Sequence, residues 1–272
     1  MRAIVQLLGV GATFEVVVVE GPGENEPVLI KRPAPSLRDR REGLAALERE
    51  WRVLETFRLA ALPKPLFRGE DERGPFLAES IVPGVPLREV AERGPIPTAR
   101  FYELAWAAFT AFAELHEYAD ERGPLGFVHG DPSPDNVLFD ETTAGPRVGF
   151  VDFGNATFRD APAPVFPHAR GTLPYAPPEL ARGETPPTAA TDVYALTASL
   201  LTLVLPELTD ASNEAAVLLE VGDRGLRLAA LATHREIEPS VKEALLRALA
   251  FDPRQRIASA RELAHVLAQA RA

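Results

Sequence analysis

The chain of 272 residues has no cysteine and one methionine, and of its 29 basic residues only Lys31, Lys64 and Lys242 are lysines. Without cysteine there is no disulfide framework and no thiolate nucleophile, and cysteine usage says nothing about the redox compartment. Long apolar runs are missing too: the longest lie around Leu104 to Leu115 and Val193 to Leu205, short of the roughly 20 residues that a membrane-spanning helix needs. They read as buried helices. The opening Met1-Arg2-Ala3-Ile4 lacks a signal-peptide cleavage pattern, so a cytoplasmic location is expected. Positive charge is in deficit, with a formal net charge of -10 and a pI near 5.1. That balance argues against a nucleic acid or an anionic membrane as the main partner.

What is present is ordinary for a globular protein: 46% hydrophobic and 25% charged residues, with no sign of disorder. The length suits one large domain or two modest lobes with an ample core. Because arginine serves wherever a generic positive charge is wanted, each remaining lysine raises a chemical question.

One stretch organises the rest. Val128-His129-Gly130-Asp131-Pro132-Ser133-Pro134-Asp135-Asn136 delivers an aspartate and, five residues on, an asparagine. Downstream, the β-rich run Val148 to Val151 leads into Asp152-Phe153-Gly154. Magnesium prefers oxygen ligands and keeps several waters, so one or two protein carboxylates or amides plus substrate phosphates complete a site. Asn136 and Asp152 are candidates for those ligands, which leaves Asp131 free to accept a hydrogen bond from an incoming hydroxyl. Either fragment alone reads as a turn; the ordered pair beside strand-forming runs is much harder to obtain by chance.

Upstream, Val16-Val17-Val18-Val19 reads as a strand preceded by a glycine-containing turn at Leu8-Gly9-Val10-Gly11-Ala12, where glycines permit close backbone approach to a ligand. Val28-Leu29-Ile30-Lys31 reads as a further strand ending on one of the scarce lysines. Residues 40–58 show helical periodicity, with Leu44, Leu47, Trp51, Leu54 and Arg58 on one stripe. Glu48, Glu50 and Glu55 all lie near that face, and local periodicity does not choose among them as a partner for Lys31. Pro65 to Phe67 and Phe76 to Val82 form a hairpin around Asp71-Glu72-Arg73-Gly74, ended by Pro83-Gly84. Pro97 to Tyr118 is a long helix whose Phe101, Trp106, Phe109 and Phe112 read as core. The proline-rich stretch Ala161 to Pro164 shows no periodicity and reads as a mobile loop.

The order His129-x-Asp131 … Asn136 … Asp152-Phe153-Gly154 resembles the catalytic and metal-binding loops of the protein kinase-like superfamily, and the closest likeness is to bacterial eukaryotic-type serine/threonine kinases. Gly9, Gly11 and Val16 resemble its glycine-rich loop, with Phe14 at the third glycine, and Val28 to Lys31 resembles its V-A-I-K strand. Gly171-Thr172-Leu173-Pro174-Tyr175-Ala176-Pro177-Pro178-Glu179 resembles the end of a protein-kinase activation segment. Asp192 and Arg256 match two further family positions, one expected to hold the catalytic loop from below and the other to pair with Glu179.

The resemblance implies a single bilobal α+β domain over residues 1–272, with a small β-rich N-lobe carrying one helix up to about residue 82 and a larger, mainly helical C-lobe beyond. It implies ATP and Mg2+ as cofactors and a protein substrate. It selects Glu50 as the partner of Lys31, makes Asp131 the catalytic base, assigns Asn136 and Asp152 to metal, and puts Gly9, Gly11, Val16, Lys31, Ser80 and Val82 at the nucleotide. Two departures bear on function. Gly130 stands where an arginine usually precedes the catalytic aspartate, so phosphorylation of Thr157 or Thr172 is expected to matter little. Ser133 replaces a lysine that normally contacts the γ-phosphate, and the His-Gly-Asp form also occurs in aminoglycoside- and choline-kinase-like enzymes. Three readings follow: a protein serine/threonine kinase, a kinase of small hydroxylated molecules, and a nucleotide-binding scaffold with little transfer activity.

Overall fold

The computed structural model describes residues 4–10, 13–20, 27–35, 40–142, 145–163, 171–206, 225–226 and 228–271. Gly11, expected at the nucleotide, lies outside them.

β-Branched and apolar residues build an antiparallel sheet from β1 (Ile4–Val10), β2 (Phe14–Val19), β3 (Val28–Pro33), β4 (Pro65–Asp71) and β5 (Gly74–Ser80), in the order β1-β2-β3-β5-β4. Its register sets Gly9 opposite Val16, Val16 opposite Lys31, and Lys31 opposite Leu77. Residues opposite each other across antiparallel strands share a face of the sheet. Helix α1 (Arg40–Thr56) packs on this sheet.

The buried face of α1 is Gly43, Ala46, Leu47, Arg49, Glu50, Val53 and Leu54. This corrects the stripe read from the sequence: Leu44 is 39% exposed, and the helix ends at Thr56, before Arg58. Periodicity weighted by side-chain size favours Leu44 over Ala46 and Val53, yet the two charged residues Arg49 and Glu50 face inward, where they have partners.

The sheet gives way after Ser80 to the short strand β6 (Val85–Pro86) and helix α2 (Leu87–Glu92). The long helix α3 (Thr98–His116) buries Phe101, Phe109 and Phe112 completely, while Trp106 is half-buried under the Arg271 guanidinium. A two-strand turn, β7 (Ala119–Asp120) with β8 (Gly123–Pro124), leads into the Val128 to Asn136 stretch. β9 (Val137–Asp140) and β10 (Arg147–Phe150) follow as an antiparallel pair, with β6 on the far side of β9. Beyond come the short helix α4 (Pro178–Ala181), the buried helix α5 (Ala189–Leu201), and helices over Ala229–Thr233, Pro239–Ala248 and Ala260–Ala270. The architecture is a β-rich N-terminal region with one packed helix, followed by a helical C-terminal region. No helix among the described residues is long and apolar enough to cross a membrane.

Candidate active site

Side chains from β3, α1 and β5 come together with the loop that follows β10. Lys31 Nζ lies 2.5 Å from Glu50 Oε1. Glu48 instead meets Arg68 at 2.7 Å and Glu55 meets Arg52 at 3.8 Å, both on the surface. The other Glu50 oxygen accepts the Phe153 backbone N–H, so one carboxylate spans the β3 lysine and the loop bearing Asp152. Burial pushes the Glu50 carboxyl up to about 8, and Lys31 opposes that rise. Lys31 stays above its ordinary value because its carboxylate neighbours outweigh its own burial.

Sequence reasoning missed two residues here. Glu79, on β5, places Oε1 3.1 Å from Lys31 Nζ. Arg49, 1% exposed, donates from Nε to the Gly154 carbonyl at 2.6 Å and pairs with Glu42 at 3.0 Å. Both left a trace in the sequence: Glu79 is a lone carboxylate in an apolar strand, and Arg49 adjoins Glu50. Neither has a meaning without the tertiary neighbours.

Asp152 has φ 65°, a left-handed conformation unusual for a side-chain-bearing residue, and its Oδ1 accepts the Gly154 N–H at 3.3 Å. Phe14, at the third glycine position of the first turn, is a core residue: a Cβ on Gly154 would stand 3.1 Å from its ring.

Asp131 accepts the Thr172 N–H at 3.0 Å and the Thr172 hydroxyl at 2.8 Å, one on each oxygen. Burial pushes its carboxyl up to about 6, against the pull of those two bonds. The Asn136 amide donates to the Asp131 carbonyl at 2.9 Å, which turns its own oxygen into the acceptor available to a ligand. Asn136 and Asp152 both carry oxygen donors, the type of ligand a hard cation takes. Ser133 is buried and bonds to Asp131, so a small hydroxyl occupies the place where the resemblance expects a lysine.

The loop is supported from behind by α5. Asp192 accepts the backbone N–H groups of His129 at 2.7 Å and Gly130 at 2.9 Å, and its Oδ2 lies 3.1 Å from His116 Nε2. Thr188, not Asp192, caps the helix, through a reciprocal bond with Thr191. Two turns further along, the Ser199 hydroxyl donates to the Pro132 carbonyl at 2.9 Å. His129 is fully buried against Phe112 and Phe153, and desolvation lowers its pKa, favouring the neutral ring. Gly130 has φ +83°, and a Cβ there would fall 2.7 Å from the Asn155 carbonyl. The missing arginine thus has a steric reason. Farther out, Arg256 closes a buried bidentate pair with Glu179, at 2.5 and 2.8 Å.

Of the residues expected at the nucleotide, Gly9, Val16 and Lys31 form one row across adjacent strands. Ser80 is committed elsewhere: its amide donates to the Lys64 carbonyl and its hydroxyl accepts the Lys64 N–H, both at 2.9 Å. Val82 packs against the Gly149 backbone, so closely that a Cβ on Gly149 would overlap it at 2.2 Å.

A family profile described as the protein kinase domain matches residues 2–268. The chain belongs to that family. This kinase domain is similar to the serine/threonine-protein kinase PknB of Mycolicibacterium smegmatis, with 29% identity over 70% of this chain and 29% of that protein. It is similar to the serine/threonine-protein kinase AfsK of Streptomyces griseus, with 36% identity over 47% of this chain and 15% of that protein. For the serine/threonine-protein kinase PknD of Chlamydia caviae the identity is 26%, over 94% of this chain and 30% of that protein. The kinase domain described here therefore spans less than a third of the length of these relatives.

Proposed function

We propose that the chain is an ATP- and magnesium-dependent phosphotransferase acting on serine or threonine hydroxyls of proteins, working in the cytoplasm. The observation that carries this reading is the Glu50 carboxylate, which ties the buried lysine of β3 to the Asp152 loop. The serine/threonine-protein kinase names of the relatives support the acceptor class.

Phosphoryl transfer needs positioning and charge stabilisation more than covalent chemistry from the protein. Lys31 neutralises the α- and β-phosphates, and the Gly9 and Val16 strands cover them. Asp131 orients the substrate hydroxyl and takes its proton as the oxygen bonds to the γ-phosphorus and the bond to ADP breaks. Asp152 and Asn136 would hold magnesium, which would supply charge neutralisation to the phosphates.

The test is transfer of label from γ-labelled ATP with magnesium to a generic basic protein and to a panel of small hydroxylated compounds, comparing wild type with Asp131→Asn. Label on protein serine or threonine that disappears in the variant supports the reading. Label on small molecules only, or nucleotide binding without transfer, overturns it.

A further inference from the structure

The ammonium of Lys31 lies among more carboxylates than it can neutralise. Glu50 comes from α1 at 2.5 Å and Glu79 from β5 at 3.1 Å, with side chains 5%, 0% and 1% exposed for Lys31, Glu50 and Glu79. The register explains the third member: Lys31 is opposite Leu77 and Leu29 opposite Glu79, so Glu79 projects from the same face of the sheet, one position along from the lysine. Asp152 adds a further negative charge that both Lys31 and Glu79 feel.

The two glutamates are not equivalent. Glu50 has a hydrogen-bond donor on each oxygen. Glu79 has Lys31 on Oε1, while its buried Oε2 has no partner. A carboxylate held inside a protein is costly unless it is paired, and Lys31 is the one cation at hydrogen-bond distance from Glu79 among the described residues. Glu50, moreover, lies on the helix packed against the sheet, whereas Glu79 belongs to the strand that pairs directly with β3.

We propose that Glu79 is a second positioning residue for Lys31, holding the ammonium in place from within the sheet independently of Glu50. The inference rests on the reading of Lys31 as a phosphate contact. It gives the lysine two anchors on different elements, one on α1 and the other on the neighbouring strand β5.

The experiment reads the Lys31 amine directly, without nucleotide or turnover. Trace acetylation with acetic anhydride at about pH 9 compares Lys31 with the exposed Lys64 by peptide mass spectrometry, because only a neutral amine attacks the anhydride and each pKa unit lost raises reactivity about tenfold. The variants are Glu79→Gln, close in shape, Glu79→Met, Glu50→Gln and the Glu50→Gln/Glu79→Gln double. Glu48→Gln on the α1 surface controls for charge, and each thermal transition is recorded alongside. The expected result is a Lys31:Lys64 ratio about tenfold above wild type in Glu79→Gln and Glu79→Met, and in the double variant a ratio well above Glu50→Gln alone.

A wild-type ratio in the folded Glu79 variants, or a double variant no different from Glu50→Gln, overturns the proposal. If neither Glu79 variant folds, Glu50→Gln decides. A low ratio there supports retention of Lys31 by Glu79, and a ratio near one overturns it. Failure of wild type to transfer phosphate would refute the functional reading while leaving these ratios interpretable.

Discussion

Arg49 and Gly154 are joined by a 2.6 Å hydrogen bond from the guanidinium Nε to the backbone carbonyl, and the neighbouring Glu50 takes the Phe153 N–H. Two consecutive residues of α1 thus grip the backbone of Phe153 and Gly154, the two residues that follow Asp152, itself held at φ 65°. Any shift of α1 pulls on both.

Removing the first grip should loosen the Asp152 loop. Arg49→Met is expected to cost about 2 kcal/mol of stability, the usual loss for a buried hydrogen bond from a charged donor, and to raise the magnesium concentration needed for half-maximal transfer. Arg49→Lys should recover part of both. Thermal melts together with a magnesium titration at fixed ATP check this; an unchanged magnesium requirement in Arg49→Met would refute it.

Acid should silence the enzyme through Asp131. Its carboxyl stands at about 6 because burial outweighs the two Thr172 bonds, so the base is available above that pH and protonated below it. Transfer should fall about tenfold per unit below pH 6. Thr172→Val removes the hydroxyl that favours the ionised form, so its acid limb should move to higher pH. A pH–rate profile of the two proteins reads the shift.

Restoring the arginine that the family pattern expects should harm this chain. At φ +83° a side-chain residue meets a left-handed penalty of roughly 1–2 kcal/mol, and its Cβ would press on the Asn155 carbonyl at 2.7 Å. Gly130→Ala and Gly130→Arg are both expected to lower the melting temperature and the transfer rate, with Gly130→Arg no better than Gly130→Ala. Urea denaturation and a rate assay check it.

The Arg256–Glu179 pair is buried and bidentate. Truncating one partner strands the other charge in the interior, at a cost of about 3–5 kcal/mol. Arg256→Met should therefore be markedly unstable, while Arg256→Met combined with Glu179→Leu should regain part of the loss. Denaturant midpoints of the single and double variants measure the difference.

Much of this arrangement is legible in the sequence because local chemistry specifies it. β-Branched runs mark β2 and β3, and the spacing from Asp131 to Asn136 and on to Asp152 marks the loops. The scarcity of lysine singled out Lys31. What stayed hidden depends on tertiary neighbours. Periodicity placed Leu44 inward because it is large and apolar, yet Arg49 and Glu50 face the interior, where Gly154, Phe153 and Lys31 wait for them. Glu79 reads as an ordinary polar strand residue until β3 is laid beside it. Gly130 reads as a lost arginine until Asn155 shows that no side chain fits.

Asp192 and Ser199 hold the loop bearing Asp131 at two points, seven residues apart along one face of α5. A helical segment of that length is a nearly rigid rod of about 10 Å, so the loop cannot tilt or slide without the rod, and the rod lies wholly inside the hydrophobic interior of the C-terminal region. Heat release of the Asp131 loop and collapse of that interior are then a single cooperative event, with no temperature range in which the helices persist while the loop has come adrift.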